Sequence, residues 1–339
     1  MGENKINLTS SEIASLWTTY MNDSMSIQFL NYFLNTVEDS EVRSIIEMAL
    51  NIPSGDFSYL TELFQQEDFP VPNGLSDSDV NLNAPRLYTD SFMLTYINHM
   101  SKAGMLGYSG FLSMSTRRDI RKFYKNGLNK TADLYDESSE VLLQKGLYVR
   151  SPYIDYPKQK DFVDSKSYLS GLNPFTNKRP LNAIEISHLN MNIQNNVIGV
   201  ILAISFAQSS PRKEVQKLML QGKDISEKHV KIFSSTLLDN NTQSPVSADV
   251  SITNSTAEVF SDKLIMFQMG LLTAMGTGNY ATAAAASQRS DLVLNYERLS
   301  LEIAQYAKDI AYLMIQNEWL EQPPGTMDKV KLAQQKKQN

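Results

Sequence analysis

The chain has 339 residues, of which 42% are hydrophobic, a formal net charge of −6 and no cysteine. The lack of cysteine excludes disulfide bonds, thiolate metal sites and cysteine nucleophiles. The acidic balance argues against general electrostatic attraction to nucleic acid, and the length favours two domains, each able to bury an ordinary core.

An internal duplication organises the chain. Segments 8–16 and 181–189 share leucine, glutamate, isoleucine and leucine at the same positions, an offset of 181 − 8 = 173 residues. Further along, an offset of 172 relates Tyr108 to Tyr280. A register kept over most of the chain predicts two homologous units. We place unit one at 1–147, an ordered connector at 148–180, unit two at 181–324 and a polar tail at 325–339.

Each unit opens with a helix-start signal. Thr9 and Glu12 in unit one, and Asn182 and Glu185 in unit two, have the spacing of a capping box, in which an N-cap side chain is followed three positions later by an acid. The apolar residues that follow recur mostly at spacings of three and four, which is typical of an amphipathic helix. The first helices are therefore predicted from about Ile13 in unit one and over 186–206 in unit two.

A second helix is predicted to begin near Asp39 in unit one and near Ser210 in unit two. In unit two it continues unbroken to about Leu238. In unit one Pro53 falls in the middle of the helix, where proline removes a hydrogen bond and clashes with the preceding turn. We therefore expect a kink or a break at Pro53.

A polar, helix-poor connection follows the second helix, at 66–87 and at 240–257. About 20 extended residues reach roughly 65 Å, beyond the roughly 40 Å of a 26-residue helix, so the connection is predicted to cross the bundle and make helix three parallel to helix two. Four helices with one long crossover is the ferritin-like arrangement. The sequence thus predicts an all-α fold, a tandem duplication of two ferritin-like four-helix bundles. The third helices are predicted over 88–113 and 260–285, and the fourth over 116–145 and 288–317.

The connector between the units is rich in proline and aromatic residues, whereas a free linker has fewer aromatics. We therefore expect the connector to pack on both bundles. The polar tail that follows unit two is expected to fray. The proline and aromatic residues of the connector are Tyr148, Pro152, Tyr153, Tyr156, Pro157, Phe162, Tyr168, Pro174, Phe175 and Pro180.

One uncharged segment, 264–286, is long enough to cross a bilayer. It carries polar residues such as Gln268 and Asn279, and its repeat partner contains His99 and Lys102, so we interpret it as a buried helix and predict no membrane span. The first residues lack the basic and then apolar pattern of a secretion signal, which favours a cytoplasmic protein.

Several strings resemble a known family. Together with the duplicated Leu-x-x-x-Glu-Ile starts, they are similar to an uncharacterised tandem ferritin-like family of spore-forming bacilli, described as a domain of unknown function and similar to the spore coat protein F group. The resemblance implies the ferritin-like fold and an association with sporulation or the spore coat, and it implies no activity. The strings are Asn-Leu-Asn-Ala-Pro-Arg-Leu at 81–87, Lys-Gly-Leu-Tyr-Val-Arg-x-Pro at 145–152, Arg-Pro-Leu-Asn-Ala-Ile-Glu-Ile at 179–186 and Trp-Leu-Glu-Gln-Pro-Pro at 319–324.

A metal site in unit two is one hypothesis. Di-iron bundles carry Glu-x-x-His on two helices, and Glu185 and His188 have this spacing. The first two helices of unit two should be antiparallel, which would place His188 and His229 at similar heights, where they could meet. Imidazole together with oxygen ligands suits iron, manganese or zinc, and such a pair is closer to a single-metal site or a buried hydrogen-bonded pair than to a di-iron centre. Ser15 and Asp56 stand at the two histidine positions of unit one, so the site is confined to unit two. The oxygen ligands considered are Glu185, Asp224, Glu227, Asp291, Tyr296 and Glu297.

The simpler interpretation is that Glu185 is a cap residue and His188 an ordinary helix histidine. His99, aligned with Leu271, is likewise interpreted as a core or surface histidine, and the repeated tyrosines as space-filling residues with one hydroxyl partner. Four glycines are predicted to let neighbouring helices approach closely. They are Gly104, Gly107, Gly276 and Gly278.

We therefore predict a non-enzymatic structural or interaction protein, associated with sporulation or the spore coat, whose partners are spore-coat or other proteins. We expect no cofactor, no nucleic acid and no membrane span, with the protein cytoplasmic or deposited in the spore coat. Two alternatives stay open. One is a metal-binding or oxidoreductase bundle that uses unit two, and the other is a small-molecule-binding bundle with an apolar pocket at Pro53.

Overall fold

The computed structural model describes residues 6–172, 178–244 and 251–335. Within these ranges the chain forms nine α-helices and no β-strand, which confirms the predicted all-α class. Pro174 and Phe175 of the connector, 245–250 of the second crossover and 336–339 of the tail lie outside the described residues. The helices are α1 (Ser10–Thr36), α2 (Ser40–Gln66), α3 (Asp90–Met114), α4 (Arg118–Gln144), α5 (Ala183–Ser209), α6 (Lys213–Leu238), α7 (Asp262–Ala286), α8 (Ser290–Gln316) and α9 (Lys329–Gln335).

Both predicted capping boxes are present. The Thr9 hydroxyl accepts the Glu12 backbone N–H at 3.2 Å, and the Glu12 carboxylate accepts the Thr9 N–H at 2.8 Å. In unit two the Asn182 side chain accepts the Glu185 N–H at 2.9 Å, and Glu185 accepts the Asn182 N–H at 3.1 Å. These contacts satisfy backbone donors that have no partner inside the helix, and so they define where α1 and α5 begin.

The helix directions in unit one follow from contacts at the helix ends. α1 packs on α2 and α3, and α4 packs on α3 and α2. α2 and α3 start side by side, because the Asp39 N–H donates to Asp90 Oδ2 at 3.0 Å. Glu67 at the end of α2 pairs with Arg117, just after α3, at 2.9 Å. α2 and α3 therefore run in the same direction, as the length of connection 67–89 predicts.

Unit two repeats this pattern. α5 packs on α6 and α7, and α8 packs on α7 and α6. Ser210 before α6 donates its hydroxyl to Asp262 at the start of α7 at 2.6 Å, so these two helices also start together.

The two crossover segments pair with each other in a two-fold manner. The Asn81 N–H donates to the Val259 carbonyl at 2.7 Å, and the Thr253 N–H donates to the Leu87 carbonyl at 2.8 Å. With the repeat offset of 172, 81 becomes 253 and 259 becomes 87, so each bond is the symmetry mate of the other. This exchange of identical contacts is the form of an isologous interface. Two isolated antiparallel bridges obey the same rule, Val80 with Phe260 and Tyr88 with Ile252.

The largest hydrophobic cluster runs through both units. Phe29 stacks on Phe260 with ring centroids 4.3 Å apart, and Phe206 meets both rings edge-on. The Tyr88 hydroxyl lies 2.7 Å from the hydroxyl of Ser205. The expectation of two separate cores was therefore wrong. Among the residues that the structure describes, the far half of unit two holds a second, smaller cluster. The reason is that α1 buries side chains on two sides, against its own unit and against unit two.

Of the predicted kink or break at Pro53, the break is wrong, since α2 continues from Ser40 to Gln66, and the kink stays a prediction. An internal proline costs about 3 kcal/mol through its missing hydrogen bond and its clash with the preceding turn. α2 offsets this cost by burying apolar side chains on both sides of the proline. These are Ile45, Ile46, Leu60, Leu63 and Phe64.

The connector departs from expectation. Tyr153, Tyr156 and Phe162 are 86%, 92% and 92% exposed, so the prediction that this stretch packs on both units was wrong for these residues. The apolar residues of the connector do not recur at a regular spacing, so they do not form one face that could pack against the bundles. Tyr148 does pack on the main cluster, and the ring of Tyr168 lies 4.0 Å from the Arg179 guanidinium carbon. In the tail, residues 329–335 form the short helix α9.

Of the described helices, only α5 has the length and apolar composition of a bilayer-crossing segment, whereas 264–286 was the stretch considered from sequence. Half of the apolar window of α5 is buried, and a helix inside a protein core passes the same test. Asn190, Asn192 and Asn196 are among its buried residues, and α5 packs on α6 and α7.

Candidate functional site

The two cap glutamates each connect two helix starts. Glu12 also accepts the backbone N–H groups of Thr116 and Arg117, at 2.9 and 2.7 Å, just before α4. Burial disfavours its charge, but these bonds and those from Thr9 outweigh burial and lower the pKa of Glu12 to about 2. Glu12 therefore ties the start of α1 to the turn before α4 in the ionised form that accepts these bonds.

Glu185 has the same position in unit two. It accepts the backbone N–H groups of Gln288 and Arg289 at 3.2 and 3.0 Å, and Arg179 Nη2 lies 2.7 Å from its carboxylate. Burial opposes ionisation, but Arg179 and the backbone donors keep the pKa of Glu185 below its ordinary value. The predicted metal candidate Glu185 is thus engaged as a cap and an ion-pair partner.

The other predicted ligands lie apart. Asp224, 74% exposed, and Glu227 both pair with Lys223 on the surface, at 3.2 and 3.0 Å. Asp291 pairs with Arg289, and Glu297 is exposed. Tyr296 is buried in the smaller hydrophobic cluster. Within the described residues no three or more histidine, aspartate or glutamate side chains converge in a way that could hold a metal ion.

The two candidate histidines have different surroundings. His188 Nδ1 is buried and has no hydrogen-bond partner among the described residues, and burial lowers the pKa of His188. The contacts of the fully buried His229 are with Tyr280, Glu302 and Phe233, and none is with His188. Among the described residues the structure therefore does not bring the candidate ligands of the metal hypothesis together, and no chemistry through a metal is derived from them.

His229 instead belongs to a polar group, which we call polar cluster two: the buried Asn196, His229 and Tyr280 and the partly exposed Glu302. His229 Nδ1 lies 2.8 Å from Tyr280 Oη, and Nε2 lies 3.1 Å from Glu302 Oε2. Asn196 Nδ2 donates to Tyr280 Oη at 2.8 Å. If the His229 proton is on Nε2, the hydrogen bonds form a chain. The Asn196 amide donates to the Tyr280 hydroxyl, the Tyr280 hydroxyl donates to His229 Nδ1, and His229 Nε2–H donates to Glu302. Burial lowers the pKa of His229, although Glu302 opposes the shift, which agrees with a neutral ring.

Unit one has a counterpart, polar cluster one: Asp23, Asp56 and Tyr108. The Tyr108 hydroxyl donates to Asp56 Oδ2 at 2.8 Å. Burial raises the pKa of Asp56, against the hydrogen bond from Tyr108 and the charge of Lys130. Burial and the neighbouring charge of Asp56 raise the pKa of Asp23 well above its ordinary value.

The two clusters occupy equivalent positions with changed chemistry. The offsets 229 − 56 = 173 and 302 − 130 = 172 relate His229 to Asp56 and Glu302 to Lys130. The acidic and basic partners have therefore exchanged helices between the units. The same register relates Asn196 to Asp23 and Tyr280 to Tyr108.

Sequence reasoning did not single out Asp23, Asn196, Lys130 or Glu302. The signal that could have found them is the repeat register itself, since each pair stands at a retained offset of 173 or 172. These residues were missed because they lie within helices, where the sequence analysis relied on the spacing of the apolar residues.

Polar cluster two is poorly suited to nucleophilic chemistry. Burial raises the pKa of Tyr280, so its hydroxyl is not an activated nucleophile. The enclosed space beside it is only about 60 Å³, which has room for little more than water. The cluster is therefore suited to fixing the relative positions of α5, α6, α7 and α8.

The space beside polar cluster one is larger than the space beside Tyr280, although a more open groove of about 960 Å³ lies between α6 and α8 of unit two and reaches Glu302. A cavity of about 580 Å³ lies beside Asp23 and Tyr108, next to Pro53, and is bounded on one side by α5 and α7 of unit two. The glycine prediction holds at Gly104, where an added Cβ would lie 2.9 Å from Thr131. It fails at Gly107 and Gly278, which line the cavity and where an added Cβ would meet little or nothing.

Fold and site together define an all-helical protein built from two repeats, each with an internal polar cluster. The chain belongs to the family described as "Protein of unknown function (DUF3231)", whose model matches residues 1–159 and 169–332. This confirms the predicted membership in an uncharacterised tandem family.

Among solved structures, the chain is similar to a "putative spore coat protein" from Bacillus halodurans C-125. The two share 18% sequence identity, the alignment covers 46% of this chain and 98% of the other, and the TM-score is 0.38. A search of curated proteins finds no match.

Proposed function

We propose that the chain is a non-enzymatic structural or interaction protein of ferritin-like fold. The observation that carries this proposal is the closed donor chain of polar cluster two. Asn196, Tyr280, His229 and Glu302 contact one another at 2.8 to 3.1 Å, in the interior where a ferritin-like enzyme would hold its metals. Side chains that satisfy one another stabilise the interior, and these four side chains are engaged with one another and not with a metal ion.

The helix arrangement supports the ferritin-like part of the proposal. In each unit the first helix packs on the second and third, and the fourth packs on the third and second. The long connection lies between the second and third helices. This is the order of a four-helix bundle with one crossover.

Elemental analysis separates this function from the metal-binding alternative. For protein purified without chelator we expect well below about one equivalent of iron, manganese or zinc, and the same for the His188→Ala/His229→Ala double variant. About one or more equivalents that disappear in the variant would overturn the structural proposal in favour of a metal site in unit two.

The sequence strings at 81–87, 145–152, 179–186 and 319–324 support the spore association, because they resemble those of a family of spore-forming bacilli. A fluorescent fusion followed through sporulation tests it. We expect uniform cytoplasmic signal in growing cells and a ring around the forespore later, with the protein recovered in coat extracts of purified spores. A signal that stays uniform in the mother cell, with no protein in the coat extract, would contradict the association.

A further inference from the structure

The cavity of unit one is a built site for a small molecule. At about 580 Å³ it falls within the range of natural ligand pockets. Its wall is mostly apolar and comes from α1 to α4 together with α5 and α7 of unit two. Apolar side chains that contribute to it are Phe29, Ile52, Ile97, Met100, Leu134 and Met275.

We propose that this cavity binds a small organic cation, a molecule with an apolar body and one amino group, and that Asp23 holds the amino group.

Asp23 supplies the first argument. It lines the cavity, it is only 7% exposed, and its Oδ2 has no hydrogen-bond partner among the described residues. Buried polar side chains almost always have a partner, so an orphaned carboxyl oxygen beside an open space indicates a partner that arrives from outside. An ammonium group satisfies it through a charge-assisted hydrogen bond.

The charges around Asp23 supply the second argument. The neighbouring charge that acts on Asp23 is that of Asp56 on α2, which itself feels the charge of Lys130, whereas Tyr108 on α3 and Tyr124 on α4 have raised pKa values and are uncharged hydroxyls at pH 7. Tyr108 donates its hydroxyl to Asp56 and so has no second hydrogen for Asp23. The carboxyl groups at this end of the cavity therefore favour a cation over a carboxylate, whereas the unpaired donor Asn195 Nδ2 lies on the side formed by unit two.

Two basic side chains, Lys102 and His99, also line the cavity, and neither pairs with Asp23 Oδ2. The Lys102 ammonium lies 5.7 Å from the ring centroid of Tyr135 on α4. Burial, followed by the charge of Lys102, lowers the pKa of His99 to about 4, so His99 is neutral at pH 7. Neither residue is a hydrogen-bond partner of Asp23 Oδ2.

Unit two is an internal contrast. Asn196 stands at the position of Asp23, and its amide donates to Tyr280 at 2.8 Å. The space beside Tyr280 is about 60 Å³, against about 580 Å³ in unit one. The orphaned acid and the cavity of about 580 Å³ thus occur together at polar cluster one, and the proposal is confined to that cavity.

Isothermal titration of the full chain at pH 7 with three matched probes tests the charge assignment. The probes are octylamine, octanol and octanoate, which share the apolar body and differ in the head group. We expect octylamine to bind about 10- to 100-fold more tightly than octanol, the gain from one charge-assisted contact, and octanoate to bind least. The Asp23→Asn variant, which places in unit one the residue found in unit two, should bind octylamine no better than octanol.

Two glycine variants on α3 test the location. Gly107→Leu projects a side chain into the cavity and should abolish octylamine binding, whereas Gly110→Leu, on the same helix but away from the cavity, should bind like the wild type. Both replace a helix-interior glycine, which favours folding. The proposal is overturned by absence of octylamine binding, by equal or stronger binding of octanol or octanoate, by an amine preference that survives in Asp23→Asn, or by unchanged binding in Gly107→Leu.

Discussion

Phe29 of unit one stacks on Phe260 of unit two, with ring centroids 4.3 Å apart and ring planes 14° from parallel. Phe260 lies two residues before α7, directly beside the paired crossover segments, so the rings stack where the backbones of the two units exchange hydrogen bonds. The units therefore share their main core and are joined like the two halves of an isologous dimer.

This stack predicts strong energetic coupling between the units. Phe29→Ala or Phe260→Ala should each lower the free energy of unfolding by about 3–5 kcal/mol, because a fully buried ring is lost and a cavity remains. The double variant should lose clearly less than the sum, since each single change already removes the stack. Urea unfolding monitored by circular dichroism measures the three values. Phe233→Ala, in the smaller cluster of unit two, is the control, and its effect should add to that of Phe29→Ala.

The bonds to Glu12 predict acid sensitivity. The pKa of Glu12 falls from an ordinary 4.5 to about 2, so its stabilising contribution is complete above pH 4.5 and is lost as the pH falls towards 2. Glu12→Gln should cost about 2–3 kcal/mol at pH 7. The difference from the wild type should shrink below pH 4.5 in thermal unfolding at stepped pH. Glu47→Gln, at an exposed position of α2, should change stability little at any pH, and an equal loss there would argue against a specific role for Glu12.

His99 predicts a second pH effect at higher pH. Its pKa is lowered from 6.5 to about 4, so the folded protein takes up the proton less readily than the unfolded chain. The free energy of unfolding is therefore not reduced by His99 above pH 6.5. As the pH drops towards 4, protonation of His99 should reduce it by up to about 3 kcal/mol. His99→Leu, which introduces the residue found at the equivalent Leu271, should flatten the stability profile between pH 6.5 and 4.

The matched comparison for this prediction is His188→Gln. His188 is less buried than His99, so its removal should flatten the profile less. Identical profiles for the wild type and His99→Leu between pH 6.5 and 4 would rule out His99 as the source of acid sensitivity.

Asp23 should destabilise the ligand-free protein at neutral pH. Its raised pKa means that folding opposes ionisation, so the cost is absent below about pH 3.8 and grows as the pH rises towards the folded-state pKa. Asp23→Asn should therefore increase the free energy of unfolding at pH 7 by about 1–3 kcal/mol, and the gain should vanish near pH 4. Differential scanning calorimetry of both proteins at pH 4 and pH 7 measures the effect. The exposed Asp136→Asn variant should leave the transition unchanged, and a destabilised Asp23→Asn protein would show that the acid has a partner in the folded chain.

Three features of the fold could be predicted from sequence. The repeat shows in a comparison of the sequence with itself, the capping boxes depend on residues close in the chain, and the parallel course of α2 and α3 depends on the length of the connection. Thr9 and Glu12 are three residues apart, and the crossover needs only enough residues to span a helix. The cap role of Glu185 was predictable for the same reason. Its second role, accepting the backbone N–H groups before α8, was not, because those donors lie more than 100 residues away.

Which faces of the helices meet was decided by the tertiary structure. The pattern of α1 indicates burial but cannot tell that one side meets unit one and the other meets Phe260, since periodicity records burial and not the identity of the neighbour. Pro53 stayed inside a helix because packing outweighed a local penalty. His229 contacts Tyr280 and Glu302 and not His188, and Asp23 Oδ2 has no hydrogen-bond partner among the described residues. Such contacts depend on how four helices and a second unit come together in space.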